Sequence, residues 1–358
     1  MAIKLSVGIF LLSFLLAACT TAPPGKGVPY DAFPETRSLM GRVLPLDTAV
    51  FRYPFRIRVQ GDKAVVLDLH GTDHFFHVFS YPQGHYLSSS GKRGEAPHEM
   101  ISAENVRWKE DALWVLDADK SEITRLGLSG DSLLRRETVS LDKNILRALD
   151  FAVIDDTAFL IPDYSGDARF CQVSLQGRLL GKFGSIPSAD EEALRNARPA
   201  LAQAWRSFID YNPRNGVLAA VTQLGEVVEV YNLRDSTHVV RIGPHGEPEF
   251  LVSEGYGLPM GIMGFSDVQV TDSAIYAVFH GRPFKEIAAS VRKGTKLPDG
   301  GQYIYVFSLD GEPLCKYVLD HAVYGISVDE EKGIIIATDV NRDDPIIEYK
   351  IQDLCEYK

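Results

Sequence analysis

Apolar positions in this chain fall in short β-branched and aromatic runs cut by Gly, Asp and Asn, and helical periodicity is almost absent. The runs recur as a unit. One landmark is an apolar segment entering a turn: FRIRVQGD (55–62), NVRWKED (105–111), DFAVIDD (150–156), SFIDYNPRNG (207–216), SDVQVTDS (266–273) and GISVDEEKG (325–333). A second run follows and ends on a polar residue: AVVLDLHG (64–71), ALWVLDADK (112–120), AFLIPDYSG (158–166), VLAAVTQLG (217–225), AIYAVFHGR (274–282) and IIIATDVNR (334–342). A hairpin then closes the unit: FSYPQGHYL (79–87), LGLSGDSLL (126–134), VSLQGRLLG (173–181), VYNLRDSTHVV (230–240) and FSLDGEPLCKYV (307–318).

Each unit reads as four antiparallel strands, A to D, repeated six times at roughly the 45–60 residue spacing of propeller blades. The sixth runs out after PIIEYKI (345–351), its strand C, while LMGRVLPLD (39–47) is a surplus strand before the first unit. Placing that strand outermost in the last blade closes the ring and hides edges that would otherwise pair between molecules. The pattern therefore predicts an all-β, six-bladed β-propeller closed by an N-terminal strand, over residues 39–358. A β-sandwich or open solenoid explains neither the surplus strand nor the missing one.

Two insertions interrupt the pattern. Residues 191–205 (EEALRNARPALAQAW) read as a helix between blades three and four, with a capping-box spacing from Ser188 and a break near Pro199. It is either a surface helix or a lid over the upper face. Residues 282–302 precede strand C of blade five, carry several basic residues, and read as a mobile binding loop.

The N-terminus changes the picture of location. Lys4 precedes an apolar run, Leu5–Ala18, that leads through Leu16-Ala17-Ala18 to Cys19. Fourteen residues rise about 21 Å as a helix, short of a hydrocarbon core of roughly 30 Å. The run reads as a signal peptide (1–18) with a lipobox-like end, leaving Cys19 as a lipid-bearing N-terminus. Residues 19–38 then form the lipidated cysteine and a Pro/Gly-rich flexible tether. No acidic cluster follows Cys19, which favours the outer membrane's periplasmic side, with the cell surface as the alternative.

The net charge of −11 argues against nucleic acid, whose phosphates need a basic surface, and against flat adsorption onto anionic lipid, which leaves the anchoring to the lipid on Cys19. With Cys19 assigned to lipid, Cys171, Cys315 and Cys355 remain, an odd number. Cys315 and Cys355 are candidates to pair, against the alternative of buried free thiols.

The sequence resembles the TolB-like six-bladed β-propeller lipoproteins widespread in Bacteroidetes. The likeness rests on the lipobox-like start, on YPFRIRV (53–59), and on GKRGEAPHEM (91–100) and GPHGEPEF (243–250). The last two are similar to a Gly-x-x-Gly…Pro-x-Glu-aromatic signature of NHL-type propellers, although the first copy ends in Met100. The resemblance implies architecture; most such relatives have no assigned activity.

Residues ending strand B should converge on the channel mouth framed by the B–C and D–A loops. They are His70, Asp119, Asp163, Gln223, His280 and Asp339, with Arg282 and Arg342 nearby. This polar ring is the candidate ligand platform. His70, Asp73 and His74 could meet around a divalent ion, but His74 and His77 point to opposite faces of a strand. No nucleophile elbow, zinc-protease motif or phosphate-binding loop is present. The chain is expected to be a membrane-anchored binding module for a protein, peptide or glycan, with no catalytic residues, metal or cofactor. The rival is a metal-dependent hydrolase or lyase centred on His70, Asp119, Asp163, His280 and Asp339. A purely structural subunit is the third reading.

Overall fold

A computed structural model describes residues 27–48, 51–154 and 156–351. The signal peptide, Cys19 and Cys355 lie outside these residues, so the lipid site and the Cys315–Cys355 pairing do too. Cys171 and Cys315 are buried.

Six sheets surround a common axis, in the predicted order. Blade one is Pro54–Gln60, Lys63–Asp68, His74–Ser80 and Tyr86–Lys92; blade two is Ala103–Lys109, Ala112–Asp117, Glu122–Ser129 and Ser132–Ser140. Blade three is Ala152–Ile154, Ala158–Pro162, Phe170–Ser174 and Leu179–Phe183; blade four is Ser207–Asn212, Val217–Thr222, Val227–Asn232 and Thr237–Ile242. Blade five is Ile262–Val270, Ala274–Pro283, Gly301–Ser308 and Pro313–Val323, and blade six contributes Ile326–Asp329, Ile334–Thr338 and Ile346–Lys350. Strand B is buried throughout in blades two, three and four, because neighbouring blades cover both faces. Strand D lies at the rim and is mostly exposed or half-buried, as in Ser132–Ser140, where only Leu133 and Val139 are buried.

The surplus strand closes the ring. Arg42–Val43 pairs antiparallel with Ile346–Lys350, as the outer strand of blade six. The preceding segment corrects the expected tether. Val28–Pro29 adds in parallel to strand D of blade four, and Glu35–Leu39 in parallel to strand D of blade five. Residues 27–38 are thus a strap across the rims of blades four and five. The exposed edges of blades four and five supply its hydrogen bonds, and its aromatic residues supply burial. Tyr30 and Phe33 pack edge-on against Phe307, with ring centroids 5.7 and 5.4 Å from it. The Tyr30 hydroxyl donates to the buried Glu226 at 3.1 Å.

The first insertion forms two short helices, Glu191–Asn196 and Arg198–Ala204, broken at Ala197. Pro199 sits in the first turn of the second, where its missing N–H costs nothing. The cap is Asp190, which accepts from the Ala193 amide at 2.9 Å; Ser188 instead donates to Glu247. Leu201 and Trp205 are buried with Val227 and Val240 of blade four, so the insertion is packed into the body. The second insertion, expected as a mobile loop, contains the helix Phe284–Arg292.

Blades three and four share a buried clamp. Arg169 pairs with Glu229 at 2.7 Å and donates to Ser207 Oγ at 2.6 Å. Burial alone would raise the Glu229 carboxyl, but Arg169, then His238 and Tyr231, outweigh it and hold it at about 2 against an ordinary 4.5. Its stabilisation is therefore complete above pH 4.5 and lost as pH falls toward 2. Thermal unfolding of the wild type should steepen in its pH dependence across that window. Glu229→Gln should flatten the profile there while lowering the midpoint near neutral pH. An unchanged acid profile in the variant would show that the clamp is not the titrating element.

Candidate functional site

Strand A lines the axis, and each of the first five blades puts charge there. Arg56 and Arg58 come from blade one and Arg107 from blade two; Asp150, Asp210 and Asp267 come from blades three, four and five. Arg58 grips Asp267 with two bonds, 3.1 and 3.2 Å, and Arg56 approaches the same carboxylate at 3.4 Å. Arg107 reaches Asp150 at 3.0 Å and Asp210 at 3.5 Å. Three cations thus face three anions inside the channel.

Each aspartate also accepts from the next blade's inner strand. The Ile209 amide donates to Asp150 at 2.8 Å, that of Val270 to Asp210 at 2.8 Å, and that of Ile326 to Asp267 at 2.9 Å. Asn105 joins blade two to Asp150 at 2.7 Å, and the Val59 amide joins blade one to Ser327 at 3.1 Å. Gln60 donates to the Glu110 carbonyl, which completes a hoop of side-chain bonds around the axis.

The environment separates the three acids. Burial raises Asp150 and Asp210 above the usual carboxylate range despite Arg107. Asp267 is buried as well, but Arg56 and Arg58 outweigh that and hold it below the range. Burial pushes Arg56 down to about 10. Its guanidinium lies 3.9 Å from the Phe55 ring centroid and 4.6 Å from that of Phe208, and its Nε and Nη2 have no hydrogen-bond partner among the described residues.

The predicted ring is only partly assembled at the upper mouth. His70 packs against Tyr53 with centroids 5.0 Å apart, Tyr53 against Tyr324 at 5.6 Å, and Tyr324 against His280 at 5.3 Å. Burial, then Arg282 and Arg56, pushes His280 down to about 3, so it is neutral. Arg282 donates to the Pro298 carbonyl, and Tyr53 donates to Asp299 at 2.7 Å. His70 and His280 therefore stand at the two ends of a row of rings, with Arg282 and Tyr53 tied to the second insertion at Pro298 and Asp299.

The other members are placed elsewhere. Asp163 is buried, accepts from Ser165 and Ala168 of its own loop, and pairs with Lys182 at 3.1 Å. Asp339 faces His321 at 3.0 Å and accepts from the Asn341 amide. Gln223 is half-buried, its backbone bonded to Arg206 and Gly264, and Asp119 and Arg342 are exposed. In blades one and two the residue that organises the loop is two positions earlier. Asp68 accepts from the Arg52 and Tyr53 amides, and Asp117 from those of Ile101 and Ser102. Among the described residues no three His, Cys, Asp or Glu side chains come together to hold a metal.

Two cavities lie at the opposite mouth, framed by the A–B turns, and a third of about 390 Å³ lies on the upper side between Ser188, Asp190 and His245–Phe250. The first, of about 290 Å³, is lined by Asn212, Arg214, Gln269, Asp272, Glu330 and Lys332 among others. The second, of about 390 Å³, is lined by Arg107, Trp108, Lys109, Asp156, Asp210 and Tyr211 among others. Two of its donors, Arg107 Nε and the Trp108 indole N–H, are buried without a hydrogen-bond partner among the described residues. Strand-B endings point to the upper loops and could not reveal this mouth. The available signal was a charge in or beside the otherwise apolar inner strand of each of the first five blades.

The chain matches the TolB-like 6-blade propeller-like family over residues 32–331. It belongs to that family. A Bacteroides fragilis protein expected to be exported superposes with a TM-score of 0.55 at 11% identity, covering 91% of this chain and 100% of its own. A DUF4221 family member from Bacteroides vulgatus gives 0.53 at 8%, covering 88% and 96%. The WD40 repeats of RRP9 give 0.50 at 9%, covering 87% and 97%. At these identities the likeness is one of fold. No curated protein matches the chain.

The axial charges should dominate stability. Asp267→Ala leaves Arg56 and Arg58 buried without their anion and should cost about 3–5 kcal/mol in urea unfolding. Replacing all three by apolar residues of similar volume should recover most of that loss. A cost below about 1 kcal/mol for Asp267→Ala would show the plug to be unimportant.

Proposed function

We propose that this TolB-like propeller is a lipid-anchored, extracytoplasmic binding module that receives a peptide or glycan of an envelope partner at its lower mouth. The observation that carries this reading is the cavity beside the buried Trp108 indole N–H, which has no hydrogen-bond partner among the described residues, and Arg107 Nε, which has only its ion pair with Asp210 at 3.5 Å. A buried N–H without an acceptor is costly, and a ligand oxygen would satisfy it. Trp108 and Tyr211 add aromatic wall beside Asp210 and Lys109, a mixture suited to a polar ligand with apolar faces. Location rests on the Met1–Cys19 pattern, and the exported relative is consistent with it. Among the described residues no helix is long and apolar enough to cross a membrane. The metal-dependent alternative draws no support from the dispersed positions of its five residues.

Tagged mature chain, residues 20–358, serves as bait against crosslinked envelope from the source cells. Trp108→Phe keeps the packing but removes the indole N–H, and should weaken capture of the partner about fivefold or more. His70→Ala with Arg282→Ala, at the upper mouth, should leave capture unchanged. The reverse pattern would move the binding site to the upper ring.

A further inference from the structure

We propose that one edge of the upper face, built from the hairpin after blade four and the helix of the second insertion, rests on the bilayer that holds the lipid. This inference rests on the lipid anchor at Cys19.

The hairpin is Phe250–Ser253 and Tyr256–Pro259. Leu251 pairs with Leu258 and Ser253 with Tyr256, so those side chains share one face, and Met260 continues it. Leu251, Tyr256, Leu258 and Met260 are 56%, 57%, 48% and 51% exposed. The hairpin cannot turn to hide them. Phe250 packs into the cluster of Leu201 and Trp205, and a Cβ on Gly257 would lie 2.4 Å from the Ala200 carbonyl oxygen. An apolar face held outward in this way marks a contact surface.

The neighbouring helix supplies charge. The Phe284 amide donates to the Gly261 carbonyl at 3.0 Å, so the helix begins where the hairpin returns. Val291 on that helix is 72% exposed. Residues 282–299 hold five basic side chains (Arg282, Lys285, Arg292, Lys293 and Lys296) against Glu286 and Asp299, in a chain of net charge −11. Lys285, Arg292, Lys293 and Lys296 are exposed. Glu249 and Glu254 flank the hairpin, so attraction to anionic headgroups comes from the helix and burial from the hairpin.

The anchor selects the occupant. Gly27 lies against Ile242, and Ile242 packs on the same cluster as Phe250. Eight residue steps separate Cys19 from Gly27, a reach of at most about 29 Å. A lipid on Cys19 therefore holds this corner of blade four close to the membrane surface. The apolar face and the basic helix are the neighbouring contact elements, and the lower mouth is left free for its ligand.

The test couples the mature chain from Cys19, carrying Cys355→Ser, through the Cys19 thiol to maleimide lipid in phosphatidylethanolamine–phosphatidylglycerol vesicles. The anchor is then present whether or not cells lipidate that cysteine. Tyr256→Trp and Val291→Trp should each add fluorescence that brominated acyl chains quench. Arg214→Trp at the lower mouth should add fluorescence that they do not. Adding Leu251→Glu with Leu258→Glu should cut the quenching at position 256 about fivefold or more. No quenching at either upper position, or equal quenching at 214, overturns the proposal. So does a two-chain mass by light scattering without vesicles that the double Glu variant reduces to one, since a second copy would then cover the hairpin. Metabolic palmitate labelling of Cys19 in cells is read separately: its absence would remove the anchor reading and leave the vesicle result standing.

Discussion

The structure turns on a balance of charge along its axis. Six inner strands can surround a channel only if the side chains they point inward fill it. Here the filling is ionic: Arg56, Arg58 and Arg107 against Asp150, Asp210 and Asp267. Charges in such a place are costly unless matched in number and bonded in full, because desolvation must be offset. The aspartates meet that condition twice over. Each faces a guanidinium and also accepts an amide of the following blade. The same side chains therefore neutralise the channel and set the angular order of the blades.

Ring closure depends on a second device. A sheet ring has two ends, and the rims of blades four and five would leave edges unpaired. One N-terminal segment handles all three. It adds a short parallel strand to blade four, a longer one to blade five, and the missing outer strand to blade six. Tyr30 and Phe33 anchor it with aromatic contacts, so the chain leaves the propeller at one defined corner. Under the proposed lipid anchor, that corner is where the tether pulls, and the strap then sets orientation as well as stability.

The two mouths consequently differ in character. The upper one is closed by rings, with His70, Tyr53, Tyr324 and His280 in sequence beneath an insertion, and it stands beside the apolar hairpin. The lower one opens into cavities walled by charged and aromatic side chains, with the Trp108 indole N–H lacking a hydrogen-bond partner among the described residues. One side suited to contact and the other to a ligand is the division of labour expected of a tethered receptor-like module.

The sequence by itself determined the blades. Runs of apolar residues bounded by Gly and Asp turns have one low-energy arrangement when repeated six times, and the surplus and missing strands demanded closure. The axial charges were equally legible, since an Arg or Asp inside FRIRV, NVRWK, SFIDY or SDVQV has no apolar partner to meet. Tertiary structure alone decided which of them pair, because Arg58 and Asp267 are 209 residues apart and the ring brings them together. It also decided that Asp68 and Asp117, not His70 and Asp119, organise their loops, a difference of two positions that turn geometry sets. Residues 27–38 read as tether because their pairing partners lie more than two hundred residues away, at rims no local pattern reveals. The cavities belong to the same class: their walls come from turns of several blades, and only closure of the ring places them side by side.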